Sequence, residues 1–255
     1  MNFYETIEHF HLIFLGQLSR RIAQDLFALK GGVNLRFYFK SIRFSEDIDF
    51  DVYKISLETL RGNVRNIFKS KAFIDTLRAA RIEISQTSEP KQTNTTQRWK
   101  IMLSIEDQDR KLPTKIEFSR RDGLEGAVME PVDQEILVKY KLYPISCYHY
   151  PRIWAVRQKI GALIGRAQTQ ARDIFDLSFL IHDKLDLGKY ALSASDINRA
   201  CENALRLSFD DYQGQVVAYL MPEYQSLYGT EQEWNSMVSK VLGFIREAFD
   251  ESASS

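Results

Sequence analysis

Cysteine and histidine are scarce in this sequence, and their positions exclude two kinds of site. The two cysteines, Cys147 and Cys201, lie far apart and form no CxxC pair, so the sequence indicates neither a disulfide framework nor a cysteine-based zinc site. The chain has four histidines, and no two of them have H-x-x-x-H spacing. We therefore expect two reduced thiols in a reducing compartment.

An excess of charge of either sign is also missing. Lysine plus arginine and aspartate plus glutamate both number 34, which gives a formal net charge of zero. This excludes a protein that coats nucleic acid through its overall charge, although it leaves room for a local basic patch. No apolar run is long enough to span a bilayer, and residues 1–5 do not begin a signal peptide. We therefore expect a cytoplasmic protein without a membrane partner.

The chain has 255 residues, and its two halves differ in pattern. Before residue 150 the apolar residues predict helices over 7–29 and 56–81 and strands over 47–52, 81–85, 98–105 and 114–119. We interpret Gly31-Gly32 as the end of the first helix and the polar stretch 86–97 as an exposed hairpin loop. From Pro151 onward only helices are predicted, over 152–166, 172–183, 195–205, 210–220 and 231–249. This pattern predicts an α+β fold with a mixed lobe, 1–150, followed by a helical lobe, 151–255.

The most informative segment is an acidic strand that follows a glycine pair. Asp47, Asp49 and Asp51 alternate with apolar residues, so a strand places the three carboxylates on one face. Like charges at this spacing repel one another unless they are neutralised, for which a divalent cation with oxygen ligands is suited. The backbone N–H groups of Gly31 and Gly32 are suited to phosphate oxygens. Positive charge that suits a triphosphate follows at Arg36, Lys40 and Arg43. The alternative interpretation is a half-solvated edge strand.

A third acidic group is predicted on a later strand. Over residues 114–119, Ile116 and Phe118 form an apolar face, so Glu117 lies on the other face together with Lys115. This facing matches that of the acidic strand and makes Glu117 a candidate for binding metal or activating a nucleophile. An ion pair with Lys115, or simple solvation, explains Glu117 equally well.

Together these motifs resemble those of a known family. The pattern Gly31-Gly32-x-x-Leu35-Arg36, followed by Arg43-x-Ser45-x-Asp47-Ile48-Asp49-Phe50, is similar to the signature of the AbiEii/AbiGii-type nucleotidyltransferase toxins, in the DNA polymerase β-like superfamily. The resemblance implies a nucleotidyltransferase-like mixed or antiparallel sheet, and Mg²⁺ or Mn²⁺ held by Asp47 and Asp49 with Glu117 as the third acid. The residues of this segment implied to bind the nucleotide are Gly31, Gly32, Arg36, Arg43 and Ser45. Val33 departs from the small hydroxyl residue that is common in the family, so backbone contacts to phosphate are implied there.

A second signal lies in the helical half. Asp176 occupies a predicted helix that is apolar nearly all round, where a carboxylate needs a partner. A salt bridge with Arg172, four residues earlier, is one explanation. The same family has a lysine in the first helix after the catalytic sheet and then an Arg-Asp-x-x-Asp run. The matching residues here are Lys159, Arg172, Asp173 and Asp176. The resemblance implies catalytic roles for Lys159 and Asp176, and nucleotide contacts from Lys159, Arg172 and Asp173. The helical lobe would thereby complete the nucleotide pocket, and which aspartate is the functional acid stays open.

The resemblance also implies a function. It implies metal-dependent transfer of a nucleoside monophosphate from a nucleoside triphosphate (NTP) to an acceptor hydroxyl, with RNA such as a tRNA 3′ end as the acceptor. It further implies the toxin of a toxin–antitoxin or phage-defence pair, with a cognate antitoxin protein as partner. Two alternatives share the predicted site. One is an inactive nucleotide-binding module that acts by protein contact, and the other is an enzyme that nucleotidylates a protein or a small molecule.

Overall fold

The computed structural model describes residues 2–106, 108, 110–182, 185 and 192–253. The chain divides into two compact units. The first unit comprises residues 1–40 and 44–150, and the second comprises residues 41–43 and 151–255. Among the described residues, no helix is both long and apolar enough to cross a membrane.

The first unit combines helices with a sheet. Its N-terminal elements are α1 (Phe3–Arg21), β1 (Phe27–Lys30), α2 (Gly31–Phe39), β2 (Asp47–Val52), α3 (Leu57–Lys69) and α4 (Lys71–Ala79). The elements that follow are β3 (Ile82–Gln92), β4 (Thr96–Ile105), β5 (Lys111–Arg120), β6 (Val128–Pro131), α5 (Gln134–Lys139) and β7 (Ser146–His149).

These strands form one seven-stranded mixed sheet in the order β3-β4-β5-β2-β1-β7-β6. Strand β2 is parallel to β5 and antiparallel to β1. One face of the sheet is apolar because alternate residues of the strands are buried. On that face Phe50 stacks on Phe118 at 5.0 Å and contacts Phe14 of α1. The other face carries the polar residues of the same strands, including Asp47, Asp49 and Glu117. The predicted α+β class is confirmed.

The N-terminal helix is shorter than the predicted range of 7–29. It ends at Arg21, and residues 27–30 form β1, which lies between β2 and β7. Phe27, Ala28 and Leu29 are fully buried, and a buried central strand has a continuous apolar sequence that resembles one turn of a buried helix. The glycine pair was also wrongly placed, because Gly31 and Gly32 begin α2 instead of ending α1.

Two further predictions about this unit were wrong. The polar stretch 86–97 is mostly strand, because β3 extends to Gln92 and β4 begins at Thr96. Its polarity comes from the exposed side chains of an edge strand, and not from a long loop. The single helix predicted over 56–81 is divided into α3 and α4 at Ser70, whose backbone is extended.

The second unit is helical in its described residues. Its helices are α6 (Arg152–Gly165), α7 (Ala171–Leu180), α8 (Ala194–Leu205), α9 (Phe209–Gln215), α10 (Pro222–Tyr228) and α11 (Glu231–Ala253). Tyr212 stacks on Trp234 at 4.9 Å in its core. The helix predicted over 210–220 ends at Gln215, and α10 was not predicted. Asp183, the predicted end of the helix 172–183, lies outside the described residues.

Candidate active site

The acidic strand β2 is a central strand of the sheet, flanked by β1 and β5. The edge-strand interpretation is therefore wrong. The register places Asp49 opposite Lys30 of β1 and beside Glu117 of β5, and it places Asp47 beside Lys115. Ile48 and Phe50 are fully buried on the opposite face, and they fix the direction of the acidic side chains.

The carboxylate of Asp49 lies against the glycine turn. Gly31 is the first residue of α2 and has φ +71°, a conformation that favours glycine. A Cβ atom on Gly31 would lie 3.0 Å from Asp49 Oδ2, which is tighter than an ordinary van der Waals contact, so the carboxylate would have to shift by a few tenths of an ångström to admit a side chain at this position. Asp49 therefore points towards the N-terminus of α2, where the helix dipole favours negative charge.

Asp49 has no direct counter-charge. Within the described part of the chain its carboxylate forms neither a hydrogen bond nor an ion pair. Burial raises its pKa above the ordinary value, and the neighbouring carboxylates of Asp47 and Glu117 raise it further, against the opposing effect of the Lys30 ammonium group. The ionised form of Asp49 is therefore disfavoured in the protein alone, and a bound cation would stabilise it.

Asp47 and Glu117 are held by neighbouring cations. Lys115 Nζ lies 2.6 Å from Asp47 Oδ2, and Arg98 Nη2 lies 2.6 Å from Glu117 Oε2. The expected alternative, an ion pair of Glu117 with Lys115, is thus replaced by one with Arg98. Both carboxylates remain partly accessible, with side-chain exposures of 26% for Asp47 and 21% for Glu117.

No group of three or more His, Cys, Asp or Glu side chains in the described part of the chain is arranged to hold a metal ion. A common metal site of Asp47, Asp49 and Glu117 therefore stays a prediction.

Asp51, the third acid of β2, is fully engaged by other side chains. Lys30 Nζ donates to its carboxylate at 2.6 Å, Arg121 Nε at 3.0 Å and the hydroxyl of Tyr150 at 2.9 Å. Asp51 is only 3% exposed, so its role is structural. The sequence did not indicate Lys30 as its partner, because β1 was interpreted as part of a helix.

Two residues predicted to bind the nucleotide have local structural contacts. Arg36 forms an ion pair with Glu8 of α1, and its guanidinium lies 5.0 Å from the ring centroid of Phe44. The Ser45 hydroxyl donates to the backbone oxygen of Asp47 at 3.0 Å, which fixes the turn that precedes β2. A nucleotide contact from either residue stays a prediction.

The acids of the second unit form a buried charge network. Asp173 and Asp176 are both fully buried, and Lys159 Nζ lies 3.0 Å from Asp173 and 2.6 Å from Asp176. Arg43 lies 2.9 Å from Asp176, and Arg166 lies 3.2 Å from Asp173. Burial by itself would raise the pKa of Asp176, but the Arg43 and Lys159 charges hold it below its ordinary value.

The alternative explanation of Asp176, a salt bridge with Arg172, is wrong. The Arg172 guanidinium donates to Gln170 Oε1 at 2.7 Å, and Asp176 instead points into the unit towards Arg43 and Lys159. Arg43 belongs to the segment 41–43. This segment is part of the second unit although it precedes the rest of that unit, residues 151–255, by more than 100 positions in the sequence. The predicted nucleotide contacts of Lys159, Arg172 and Asp173 and the predicted catalytic role of Asp176 stay predictions.

Comparison with known proteins identifies the family. A family model described as "Nucleotidyl transferase AbiEii toxin, Type IV TA system" matches residues 13–254. The chain belongs to this family. It is therefore a nucleotidyltransferase of a toxin family, as the motifs of the glycine turn and the acidic strand indicated. A search of curated proteins finds no match.

Solved structures share the fold of this AbiEii-family chain. MenT4, a nucleotidyltransferase toxin from Mycobacterium tuberculosis H37Rv, is similar with a TM-score of 0.65 and 18% identity, over 96% of this chain and 85% of that chain. JHP933 from Helicobacter pylori is similar with a TM-score of 0.56 and 21% identity, over 97% of this chain and 94% of that chain. At these identities the likeness establishes the fold alone.

Proposed function

We propose that the chain transfers a nucleoside monophosphate from an NTP to a hydroxyl of an RNA acceptor, such as a tRNA 3′ end, and that the reaction depends on Mg²⁺ or Mn²⁺. One observation carries the proposal. The carboxylate of Asp49 lies against Gly31 at the start of a helix, and no described side chain neutralises it directly. A partly buried acid without a counter-charge, next to a helix N-terminus, suits a cation that carries a triphosphate.

The acidic residues fit a hard divalent cation. Asp47 and Asp49 offer carboxylate oxygens from one face of β2, and Glu117 follows beside Asp49 on β5. Mg²⁺ is usually bound by one or two carboxylates together with substrate phosphates and water, so it needs no complete set of protein ligands. When bound, the cation would neutralise the triphosphate and help the leaving pyrophosphate to depart.

The backbone at the start of α2 would orient the phosphates. The first N–H groups of a helix have no intrahelical partner, and they point out of the helix N-terminus. Gly31 and Gly32 occupy these positions and have no Cβ atom to block a phosphate oxygen. Lys30, which immediately precedes them, adds a positive charge near Asp49.

In the proposed transfer one bond to the α-phosphorus forms and one breaks. The oxygen of the acceptor hydroxyl forms a bond to the α-phosphorus, and the bond between that phosphorus and the α–β bridging oxygen breaks. Pyrophosphate leaves with the electron pair of that bond. The hydroxyl proton passes to a carboxylate, for which Glu117 is the candidate, since it is next to Asp49 in register and partly accessible.

Incubation with total tRNA, Mg²⁺ and each labelled NTP in turn tests the proposal. We expect label in the RNA with at least one NTP, loss of labelling in chelator, and its return with Mg²⁺ or Mn²⁺. Asp47→Asn and Asp49→Asn should each lower the rate by at least about 100-fold, since even outer-sphere changes around a metal can cost that much. The matched control is Asp75→Asn, at an exposed aspartate of α4, which should transfer at the wild-type rate.

Three results would contradict parts of this proposal. If the wild-type chain labels no acceptor with any NTP, or if Asp49→Asn is as active as wild type, the assigned site is wrong. If label appears on a protein or a small molecule but not on RNA, the site stands and the acceptor is wrong. If chelator has no effect, the metal dependence is wrong.

We propose in addition that the chain acts as a toxin that a cognate antitoxin protein counters. Induced expression should arrest growth, and Asp49→Asn should abolish the arrest while the protein remains present at the same level. Co-expression of the protein encoded beside this chain should restore growth. Arrest by the inactive variant would show that toxicity does not depend on the transfer reaction.

A further inference from the structure

The polar face of the sheet extends from the acidic pair across three more strands. Asp47 is in register with Lys115 of β5, and Lys115 is in register with Lys100 of β4. Lys100 is in register with Ser88 of β3. Residues paired in this way project from the same face, and neighbouring strands lie about 4.8 Å apart. A transverse row of roughly 14 Å therefore leads from the cation-binding acid to the edge of the sheet.

A second row runs beside the first. Asp49 is in register with Glu117, Glu117 with Arg98, and Arg98 with Lys91 of β3. Both rows thus begin with an aspartate of β2 and reach a lysine two or three strands away. The polar face is acidic at β2 and basic over β4 and β3.

The lysines of these rows on β4 and β3, Lys100 and Lys91, carry unneutralised charge. Lys115 is bound to Asp47 and Arg98 is bound to Glu117. Lys100 and Lys91 are exposed, and the ammonium group of neither forms a hydrogen bond or an ion pair with any residue that the structure describes. Two free ammonium groups on a face that begins at a nucleotidyl-transfer site suit a polyanion.

A groove of about 460 Å³ lies along the first row. Its lining includes Asp47, Lys115, Lys100 and Ser88, together with Met102 and Pro113. Met102 and Pro113 are in register with each other and form an apolar patch beside the first row. The volume falls within the range of about 300–1,000 Å³ of pockets that hold small molecules, so one nucleotide fits. The mixture of an apolar patch with lysine and hydroxyl groups suits a base attached to phosphate.

We propose that this groove, the acceptor groove, holds the 3′-terminal nucleotide of the RNA acceptor, whose end is single-stranded. The inference rests on the proposed function and adds the location of the acceptor. The terminal hydroxyl lies at the acidic end, and the terminal base packs on Met102 and Pro113. The preceding phosphates bind Lys100 in the groove and then Lys91, which ends the second row beside it. This direction matches the charge gradient, because the acids are at the end where the acceptor offers a neutral hydroxyl, and the lysines are at the end where it offers phosphates.

Steady-state kinetics with separate variation of tRNA and NTP test the groove. Lys100→Glu should raise the KM for tRNA on the order of tenfold and leave the KM for NTP within about twofold of wild type, because the reversed charge faces the acceptor phosphates. Lys100→Arg should retain the wild-type KM for tRNA. Lys91→Glu should act in the same direction as Lys100→Glu. The logarithm of the tRNA binding constant falls with the logarithm of the salt concentration, and the slope of this line should become shallower by about one in each charge-reversal variant.

The matched control is Lys69→Glu. Lys69 is an exposed residue of α3, and this helix is on the apolar side of the sheet. Lys69 forms no ion pair within the described part of the chain. We expect it to leave both KM values unchanged. An unchanged KM for tRNA in both Lys100→Glu and Lys91→Glu, with active wild type, would overturn the acceptor groove and leave the proposed function intact. A rise in the KM for NTP in place of that for tRNA would also overturn it. Absence of transfer by the wild type would instead refute the proposed function itself.

Discussion

The carboxylate of Asp49 lies so close to the backbone of Gly31 that any side chain at position 31 would have to displace it by a few tenths of an ångström. A Cβ atom on Gly31 would lie 3.0 Å from Asp49 Oδ2, and the φ of +71° already favours glycine. The two residues meet because β1 and β2 are antiparallel neighbours, which places Lys30 opposite Asp49. The glycine pair and the D-x-D motif are separate in the sequence, but they therefore lie side by side in the structure.

Gly31→Ala should impair both activity and stability. The methyl group would press on the Asp49 carboxylate, and alanine at positive φ costs about 1–2 kcal/mol. We expect a loss of transfer activity on the order of tenfold or more, since a displacement of about 1 Å can cost 100-fold. Transfer rates and denaturant unfolding of the purified variant measure the two effects.

Gly62→Ala is the control for Gly31→Ala. Gly62 lies inside α3, and no atom outside its own helix turn lies within 4 Å of the position that an added Cβ atom would take. Alanine there should stabilise the chain by about 0.5–1 kcal/mol and leave transfer unchanged. Wild-type activity in Gly31→Ala would show that the contact with Asp49 is unimportant for the reaction.

Asp49→Asn should stabilise the chain at neutral pH when divalent metal is absent. Burial and neighbouring carboxylates raise the pKa of Asp49 in the folded state, so ionisation of this group favours the unfolded chain. The free-energy cost of ionised Asp49 to the folded state is absent below the unfolded pKa of about 4 and fully present above the folded pKa. The stability gain of Asp49→Asn should therefore grow as pH rises from acid to neutral. Denaturant unfolding in chelator over a pH series measures it.

Asp51→Asn provides the contrast on the same strand. Its carboxylate binds Lys30, Arg121 and Tyr150, so its neutralisation should destabilise the chain at neutral pH. If Asp49→Asn were destabilising to the same degree as Asp51→Asn, the Asp49 carboxylate would belong to a structural network and would not be an acid without a counter-charge.

Lys30→Gln should shift the pH dependence of transfer. The Lys30 ammonium group lowers the pKa of Asp49 against the larger effect of burial, so its removal should raise that pKa further. Since the reaction is proposed to need ionised Asp49, the acid limb of the kcat/KM profile should move to higher pH. Lys71→Gln, at an exposed lysine of α4 that pairs with Asp75, should leave the profile in place. An unshifted acid limb in Lys30→Gln would assign that limb to another group.

The acidic strand could be predicted from the sequence because its physical pattern is local. Alternation of Asp47, Ile48, Asp49 and Phe50 fixes the facing of each side chain, and the predicted bounds of 47–52 agree with β2. The same reasoning placed Glu117 on the polar face of β5, where its register with Asp49 is observed.

The contacts that define the candidate site could not be predicted in the same way, because they join distant segments. Strand β1 is four residues long and its first three residues are apolar, and such a run has no period by which to tell a strand from a helix. Without β1, neither the pairing of Lys30 with Asp51 nor the approach of Gly31 to Asp49 could be foreseen. Arg43 presented a similar difficulty, because its partner Asp176 lies in a helix 133 residues away.

Asp176→Asn should strongly destabilise the second unit. The substitution leaves the buried cations Arg43 and Lys159 without one of their negative partners, and loss of one member of a buried ion pair costs about 3–5 kcal/mol. The Arg43 and Lys159 charges hold the folded pKa of Asp176 below its ordinary value despite burial. The stability that ionised Asp176 contributes is therefore present above the unfolded pKa of about 4 and is lost as pH falls from there towards the folded pKa.

The acid dependence of unfolding separates this structural role from a general effect of substitution in α7. Asp176→Asn should lose the part of the acid dependence that lies below about pH 4, and Arg172→Ala should retain it. Arg172 is half-buried and donates to Gln170, so its removal should change stability by less than about 1 kcal/mol. Denaturant unfolding of both variants between neutral and acid pH makes the comparison. Equal stability of Asp176→Asn and wild type at neutral pH would mean that the network does not stabilise this unit.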